Sequence, residues 1–130
     1  MARTVIPLTT LTANTAVADP SNGGTAIDAT NNHYINLGNV PLEEVVIRVK
    51  NTTASTKTVT IKAGANPPAD AAGQGDSGTL SLTDGSTTPT YGWFGPLTSA
   101  RFVQADGTVN IDVAASMTGY IAAFRIPRTA

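Results

Sequence analysis

The side chains with the most chemistry to offer are a single histidine and two neighbouring glutamates. His33 is the one histidine of a chain that has no cysteine. A zinc site needs several histidine or cysteine ligands, and a Ser–His–Asp triad needs a nucleophile motif that this sequence lacks. Glu43 and Glu44 are adjacent, so on a strand they point to opposite faces and cannot act as an acid–base pair. These residues predict a protein without enzymatic activity, cofactor or metal, in which His33 has a structural role.

The aspartates are scattered, and none of them forms the calcium-loop pattern D-x-[DN]-x-[DN]-G. Turn chemistry explains most of them, because an aspartate accepts hydrogen bonds from nearby backbone N–H groups. A loop calcium around Asp70 and Asp76 is the alternative. Asn51 begins a glycosylation sequon, which carries weight only in a secreted protein.

Aromatic and arginine side chains are the best candidates for contact with a partner. Tyr91, Trp93 and Phe94 lie within four positions. We expect them to be buried or packed between subunits, and a sugar-binding platform is the alternative. The arginines of the C-terminal third are either ordinary surface charges or partners for acidic groups on another chain. The predicted partner interface consists of Arg3, Val5, Ile6, Tyr91, Trp93, Phe94, Arg101, Arg125 and Arg128.

Composition narrows the classes of function. The 130 residues are 41% hydrophobic and 13% charged, with a net charge of −1. That size and apolar fraction suit one domain with a true core. The charge balance excludes a binder of nucleic-acid backbones, and no apolar run approaches the length of a membrane span. The absence of cysteine, and of a continuous apolar run near Met1, predicts folding in a reducing cytoplasm.

Short segments of period-two alternation must position these residues, and no window sustains a helical period. The clearest segment, EEVVIRVKNTTASTKTVTIKAG at residues 43–64, predicts a hairpin. A second predicted hairpin, ARFVQADGTVNIDV, turns at Asp106-Gly107. The last strand runs from Gly119 to Ile126. The core positions of the first hairpin are Val45, Ile47, Val49, Val59 and Ile61.

Many short strands, frequent turn signals and the absence of helices predict an all-β fold. Each sheet has one apolar face, so we expect an antiparallel β-sandwich, jelly-roll-like or Ig-like, in a single domain. Residues 1–30 are expected to form an extended N-terminal arm with the first strand, and residues 31–130 the sandwich.

The order of these segments is similar to that of a known group of proteins. NNHYINLGNVPLEEVVIRVKNTTASTKTVTIKAG, YGWFGPLTSARFVQADGTVNIDV and GYIAAFRIP resemble small β-sandwich proteins from the structural gene clusters of tailed bacteriophages, especially those that infect actinobacteria. The shared elements are NNH before a strand, V-x-N-T followed by T-V-T-I-K-A-G, G-P-L before R-F-V-Q-x-D-G-T-V, and a closing R-I-P. The resemblance spans nearly the whole chain.

That resemblance implies a minor capsid or head decoration ("cement") protein, which binds the outer surface of an assembled shell and stabilises it. It implies the major capsid protein as partner and a place on the capsid surface of the virion, after synthesis in the host bacterial cytoplasm. It supplies no catalytic residues. A homotrimer is expected, because a Thr-rich sheet edge and an arm can be exchanged between copies, with a dimer as the alternative. The rival functions are a tail- or fibre-associated module for carbohydrate binding or host adhesion, and a tail or connector component.

Overall fold

The computed structural model describes residues 3–12, 14–18, 24–38, 40–64, 79–95, 102–104 and 106–126. Within these residues two five-stranded sheets pack together, and Leu42–Glu44 form a short 3-10 turn. The predicted all-β sandwich is therefore confirmed. The strands are β1 Thr4–Val5, β2 Leu8–Thr10, β3 Thr25–Ala26, β4 His33–Asn36, β5 Val45–Asn51, β6 Lys57–Ile61, β7 Leu80–Leu82, β8 Thr90–Phe94, β9 Thr108–Val113 and β10 Gly119–Arg125.

The two sheets are mixed rather than purely antiparallel. The first sheet has the strand order β1-β4-β9-β6-β7, and the second has β2-β10-β5-β8 with β3 also paired to β10. Strand β1 runs parallel to β4, and β2 runs parallel to β10. The other named strand pairs are antiparallel. Both parallel pairs involve a strand of the N-terminal segment. This segment is therefore the reason why the sheets are mixed and not purely antiparallel as predicted.

Part of the predicted N-terminal arm belongs to the sandwich itself. Ile6 lies between β1 in the first sheet and β2 in the second, and its side chain is buried in the core. Its N–H donates to the carbonyl oxygen of Tyr34 at 2.8 Å, and the N–H of Leu11 donates to Arg125 at 2.9 Å. Burial of an apolar side chain and pairing of its backbone groups hold this segment across both sheets.

The prediction that β5 and β6 pair as a hairpin is wrong. Strand β5 pairs with β10 and β8 in the second sheet, whereas β6 pairs with β9 and β7 in the first. Residues 52–56 cross from one sheet to the other. Alternation identifies which face of a strand is buried but not which strand lies beside it. The core positions of these two strands were predicted correctly, because all five predicted side chains are fully buried: Val45, Ile47, Val49, Val59 and Ile61.

The second predicted turn is present where Asp106-Gly107 indicates it. Gly107 has a φ of +82°, a region that glycine enters without steric cost. Its N–H donates to Gln104 O at 3.0 Å, and the N–H of Gln104 donates to Thr108 O at 2.7 Å. Val103 and Val109 form a β-bridge on either side of the turn.

A buried asparagine ties the crossing segment to the opposite sheet. Asn51 ends β5 in the second sheet and has no exposed surface. Its Nδ2 donates to Thr83 O at 2.9 Å and lies 3.3 Å from Leu82 O and from Ser55 O. Its Oδ1 accepts from the N–H of Thr53 at 2.9 Å. One side chain therefore satisfies backbone groups beside β7, which belongs to the first sheet, and within residues 52–56.

His33 begins β4 and is fully buried, whereas a structural histidine at a strand edge or partly buried was expected. Its Nε2 accepts from the N–H of Asp28 at 2.9 Å, and its Nδ1 lies 3.2 Å from Thr4 O. A backbone N–H only donates and a carbonyl only accepts, so the ring is the neutral Nδ1–H tautomer. Burial lowers the pKa of His33, since the charged form would lose its hydration.

The carboxylate of Asp28 completes this junction. Its Oδ2 accepts from Thr4 Oγ1 at 2.6 Å and from Asn31 Nδ2 at 3.1 Å, and its Oδ1 accepts from the N–H of Asn31 at 3.0 Å. These hydrogen bonds, that of Thr4 foremost, hold the pKa of Asp28 well below its usual range. Strand β1 is thus fastened by a neutral histidine and an ionised aspartate.

We expect the protein to lose stability as the pH falls below about 6.5, the ordinary pKa of histidine. Because the folded-state pKa of His33 lies lower, the unfolded chain binds the proton first in this window. Stability is therefore complete above pH 6.5 and falls by up to about 1.4 kcal/mol per pH unit toward the folded pKa. Urea unfolding at a series of pH values between 8 and 5 tests this. His33 is the one histidine of the chain. Equal unfolding midpoints across that range would therefore contradict the burial of a neutral His33 in this junction.

Candidate partner-binding surface

The outer face of the second sheet carries a cluster of aromatic and cationic side chains. Along β5, β8 and β10, alternate side chains point away from the core. The inward-facing residues of β5 and β10, such as Ile47 and Ile121, are fully buried. We call the outward cluster the aromatic–cation face, and it consists of Arg48, Lys50, Tyr91, Trp93, Tyr120 and Phe124.

The first row of this face is a lysine between two tyrosines. The strand register places Lys50 opposite Tyr91 on one side and opposite Tyr120 on the other. Its Nζ lies 5.9 Å from the ring centroid of Tyr91 and 5.6 Å from that of Tyr120. Both distances fall within the range in which an ammonium group is attracted to an aromatic ring. The two rings therefore restrict the position of the ammonium group.

The second row centres on Arg48, which lies opposite Trp93 and Ala122. Its Cζ is 5.9 Å from the Trp93 centroid and 5.3 Å from that of Phe124. Ala122 presents only a methyl group, so the guanidinium has room to reach Phe124 in the next row. The Trp93 and Phe124 rings lie 6.2 Å apart with an interplanar angle of 36°. These contacts form one stacked group across three strands.

The aromatic rim of the face is exposed, while its floor is covered. Tyr91 and Trp93 are 56% and 55% exposed. Val46, Ala122 and Phe124 form a buried cluster of their own, against which Leu11 packs. Large exposed rings on a buried apolar floor are typical of contact sites rather than of ordinary surface.

A groove lies beside Trp93, between the sheet and the N-terminal segment. We call it the side groove, and its volume is about 240 Å³. Its walls are largely apolar, with the guanidinium of Arg48 as the charged group among them. The lining residues are Leu11, Val17, Ala18, Val46, Arg48, Trp93, Phe124 and Ile126.

The structure brings two of the predicted interface residues, Tyr91 and Trp93, to this face. Phe94 points the other way and packs against the main core. Ile6 is buried and has no surface for a partner, whereas Val5 is exposed on β1, in the first sheet. Within this chain Phe94 is partly buried, whereas Tyr91 and Trp93 are exposed, and their packing between subunits stays a prediction.

The two predicted arginines that the structure describes, Arg3 and Arg125, do not join the cluster. Arg3 Nη1 pairs with Asp112 Oδ1 at 2.6 Å, beside β9 in the first sheet. Arg125 Nε pairs with Glu44 Oε1 at 2.8 Å, where β10 meets the 3-10 turn. Both guanidinium groups hold elements of this chain together. The residues Arg101, Arg128, Asp70 and Asp76 lie outside the part that the structure describes.

Four members of the face were missed as site residues from the sequence: Arg48, Lys50, Tyr120 and Phe124. Period-two alternation does place Arg48 with Lys50, and Tyr120 with Phe124, on single strand faces. The missing information was that β5 lies between β8 and β10, which only the strand pairing provides.

The described residues contain no group of three or more histidine, aspartate or glutamate side chains that could hold a metal ion. Within the same residues, no helix is long and apolar enough to cross a bilayer. Among known proteins, no family model matches the chain, and no curated protein or solved structure matches it either. The feature with the clearest capacity for recognition is the aromatic–cation face.

Proposed function

We propose that this chain is a structural virion protein of a tailed bacteriophage, a decoration or minor capsid protein that binds the outer surface of the assembled capsid and stabilises it. The major capsid protein is its partner, and the capsid surface is its location. The observation that carries the proposal is the exposed pair Tyr91 and Trp93, stacked with Lys50 and Arg48 on one sheet face. The resemblance of the sequence to phage β-sandwich proteins supports the same function.

The physical character of this face suits a protein partner. Tryptophan, tyrosine and arginine are the residues that contribute most to binding at protein interfaces. Here they lie on three adjacent strands of a sheet and already contact one another, so little side-chain freedom remains to be lost on binding. A face prepared in this way can give useful affinity from a small contact area.

Stabilisation of a shell follows from mass action. A protein that binds only the mature lattice adds RT ln(1 + [L]/Kd) per occupied site to the stability of that lattice. Many copies act on one shell, and a homo-oligomer that contacts several subunits at once adds an avidity term. A trimer at a local three-fold position fits this mechanism, and a dimer is the alternative.

We expect the purified protein to co-sediment with mature capsids from which it has been stripped, and not with immature procapsids. Binding should saturate, and the copy number at saturation reports the symmetry of the site. Trp93→Ala should weaken binding about tenfold or more, as is typical of a central aromatic contact. Tyr34→Ala, on β4 in the other sheet, is the matched control. The proposal would be excluded if the protein bound neither mature capsids nor procapsids. It would also be excluded if the two variants lost equal affinity for mature capsids.

A second candidate is a carbohydrate-binding module associated with a tail or fibre. The observation in its favour is again the exposure of Tyr91 and Trp93, because sugar rings stack on exposed aromatic faces. A glycan array read together with Trp93 fluorescence tests it. Saturable binding of a neutral glycan, with no binding to shells, would replace the capsid proposal by this one.

A further inference from the structure

We infer that the aromatic–cation face binds an extended, acidic segment of a partner protein, and that an apolar side chain of this segment enters the side groove. The inference deepens the proposed function at the same face, because it names the chemistry of the partner. Three features of the face carry it: its charge, the spacing of its cations, and the position of the groove.

The charge of the face favours carboxylates. The outward positions of β5, β8 and β10 hold two cations, Arg48 and Lys50, and no acidic residue. These described outward positions therefore carry a net positive charge, whereas the whole chain has a net charge of −1. The described acidic side chains of Asp28, Asp84 and Asp106 accept hydrogen bonds within their own turns.

Lys50 is prepared for an anionic partner. Its contacts among the described residues are the rings of Tyr91 and Tyr120, which attract the ammonium group without neutralising it. An exposed ion pair is usually weak because two flexible side chains must be held in one geometry. The rings already hold one of the two, so a carboxylate above Lys50 gains more than an ordinary surface pair would.

The spacing of the cations selects an extended segment. Arg48 and Lys50 are two residues apart on one strand, so their Cα atoms are separated by about 6.6 Å along the strand. An extended peptide also presents every second side chain to the same side, at the same interval. Two acidic residues at positions i and i+2 therefore match the two cations.

The side groove continues this register. Val46 is the next outward residue of β5 after Arg48, and it forms part of the groove together with Trp93 and Phe124. A segment laid along β5 brings its i+4 side chain to this point. The complementary pattern is acidic, any, acidic, any, apolar, in either chain direction.

The first test uses synthetic peptides as probes and Trp93, the single tryptophan, as reporter. The peptide has the sequence Glu-Thr-Glu-Thr-Leu, and its two ends are blocked. One control peptide has glutamine in place of both glutamates, and another has alanine in place of leucine. At low salt we expect the acidic peptide to bind about fivefold more tightly than the glutamine peptide, with the difference lost at high salt. The alanine peptide should also bind more weakly than the leucine peptide.

A pair of charge-matched variants locates the interaction. Lys50→Gln should remove part of the advantage of the acidic peptide over the glutamine peptide, because Arg48 still faces the other glutamate. Lys62→Gln removes the same charge just after β6, in the other sheet, and should leave the affinity unchanged. Melting temperatures of both variants provide the check on folding. Equal affinity for the two peptides, or an unaffected Lys50→Gln variant, would overturn the inference.

Two further measurements separate the occupants of the face. Sedimentation velocity without peptide detects self-association, and a dimer that shields Trp93 from a quencher would mean that a second copy covers the face, which overturns the inference. Shell binding by Lys50→Gln separates the inference from the proposed function. Unchanged shell binding by this variant leaves the capsid function standing and removes the acidic partner. Binding of the acidic peptide without any binding to shells would support the acidic partner and contradict the capsid function.

Discussion

Ile47→Asp is expected to unfold the protein. Ile47 lies in the middle of β5, has no exposed surface, and belongs to the core cluster between the sheets. The change removes buried apolar contact, which costs about 2–5 kcal/mol for truncation of such a residue, and leaves an unpaired carboxylate in the core. The total exceeds much of the stability of about 5–15 kcal/mol that a domain has. Circular dichroism during heating should show no cooperative transition.

Thr58→Asp is the matched control for this substitution. Thr58 is an exposed residue of β6, so the same carboxylate there remains in water. We expect its unfolding free energy to lie within about 0.5 kcal/mol of the original chain. A soluble Ile47→Asp variant with an unchanged melting temperature would show that Ile47 is not in the core.

Asn51→Asp is the second change with a large expected effect, although the two side chains have nearly the same shape. The Nδ2 group donates to Thr83 O and lies near Leu82 O and Ser55 O. A carboxylate oxygen in its place faces three acceptors without a proton to share, in a fully buried site. We expect a loss of about 3 kcal/mol or more in the free energy of unfolding, measured with urea at neutral pH.

The pH dependence of that loss distinguishes repulsion from general damage. The introduced carboxyl would have a raised pKa in the folded state, so its penalty should shrink as the pH falls and the group becomes protonated. The difference between variant and original chain is the quantity to follow. Asn36→Asp is the control, since Asn36 is exposed and its Oδ1 only accepts, from Gly38 N–H at 3.2 Å. A destabilisation equal in both variants would refute the role given to Asn51.

The sequence predicts the core of this fold better than its pairing. Burial of Val45, Ile47 and Val49 follows from period-two alternation alone, because a strand with one apolar face must turn that face inward. The neighbours of β5 do not follow from it. The polar residues 52–56 allow either a loose hairpin or a crossing between sheets, and the buried hydrogen bonds of Asn51 stabilise the crossing.

The pairing of the N-terminal segment and the composition of the aromatic–cation face were likewise not predictable from the sequence. Ile6 lies between Val5 and Pro7, and so short a segment does not indicate that the strands before and after it belong to different sheets. Trp93 is recognisable as a candidate contact residue from its type. Its stacking partners Arg48 and Phe124 come from strands about 45 and 31 positions away in the sequence, a separation at which residue patterns carry no pairing information.

The parallel pairing of β2 with β10 has a consequence for how the protein is made. Leu8 leaves the ribosome more than 100 residues before its strand partner Ala123. The second sheet therefore stays incomplete until nearly all of the described chain has been synthesised, and closing so long a loop delays the folding step. Until then the edge of β5 that pairs with β10 has no partner strand, and a nascent chain with such an unpaired edge is prone to aggregate. Rapid, complete synthesis thus matters more for this protein than for a sandwich built from successive hairpins.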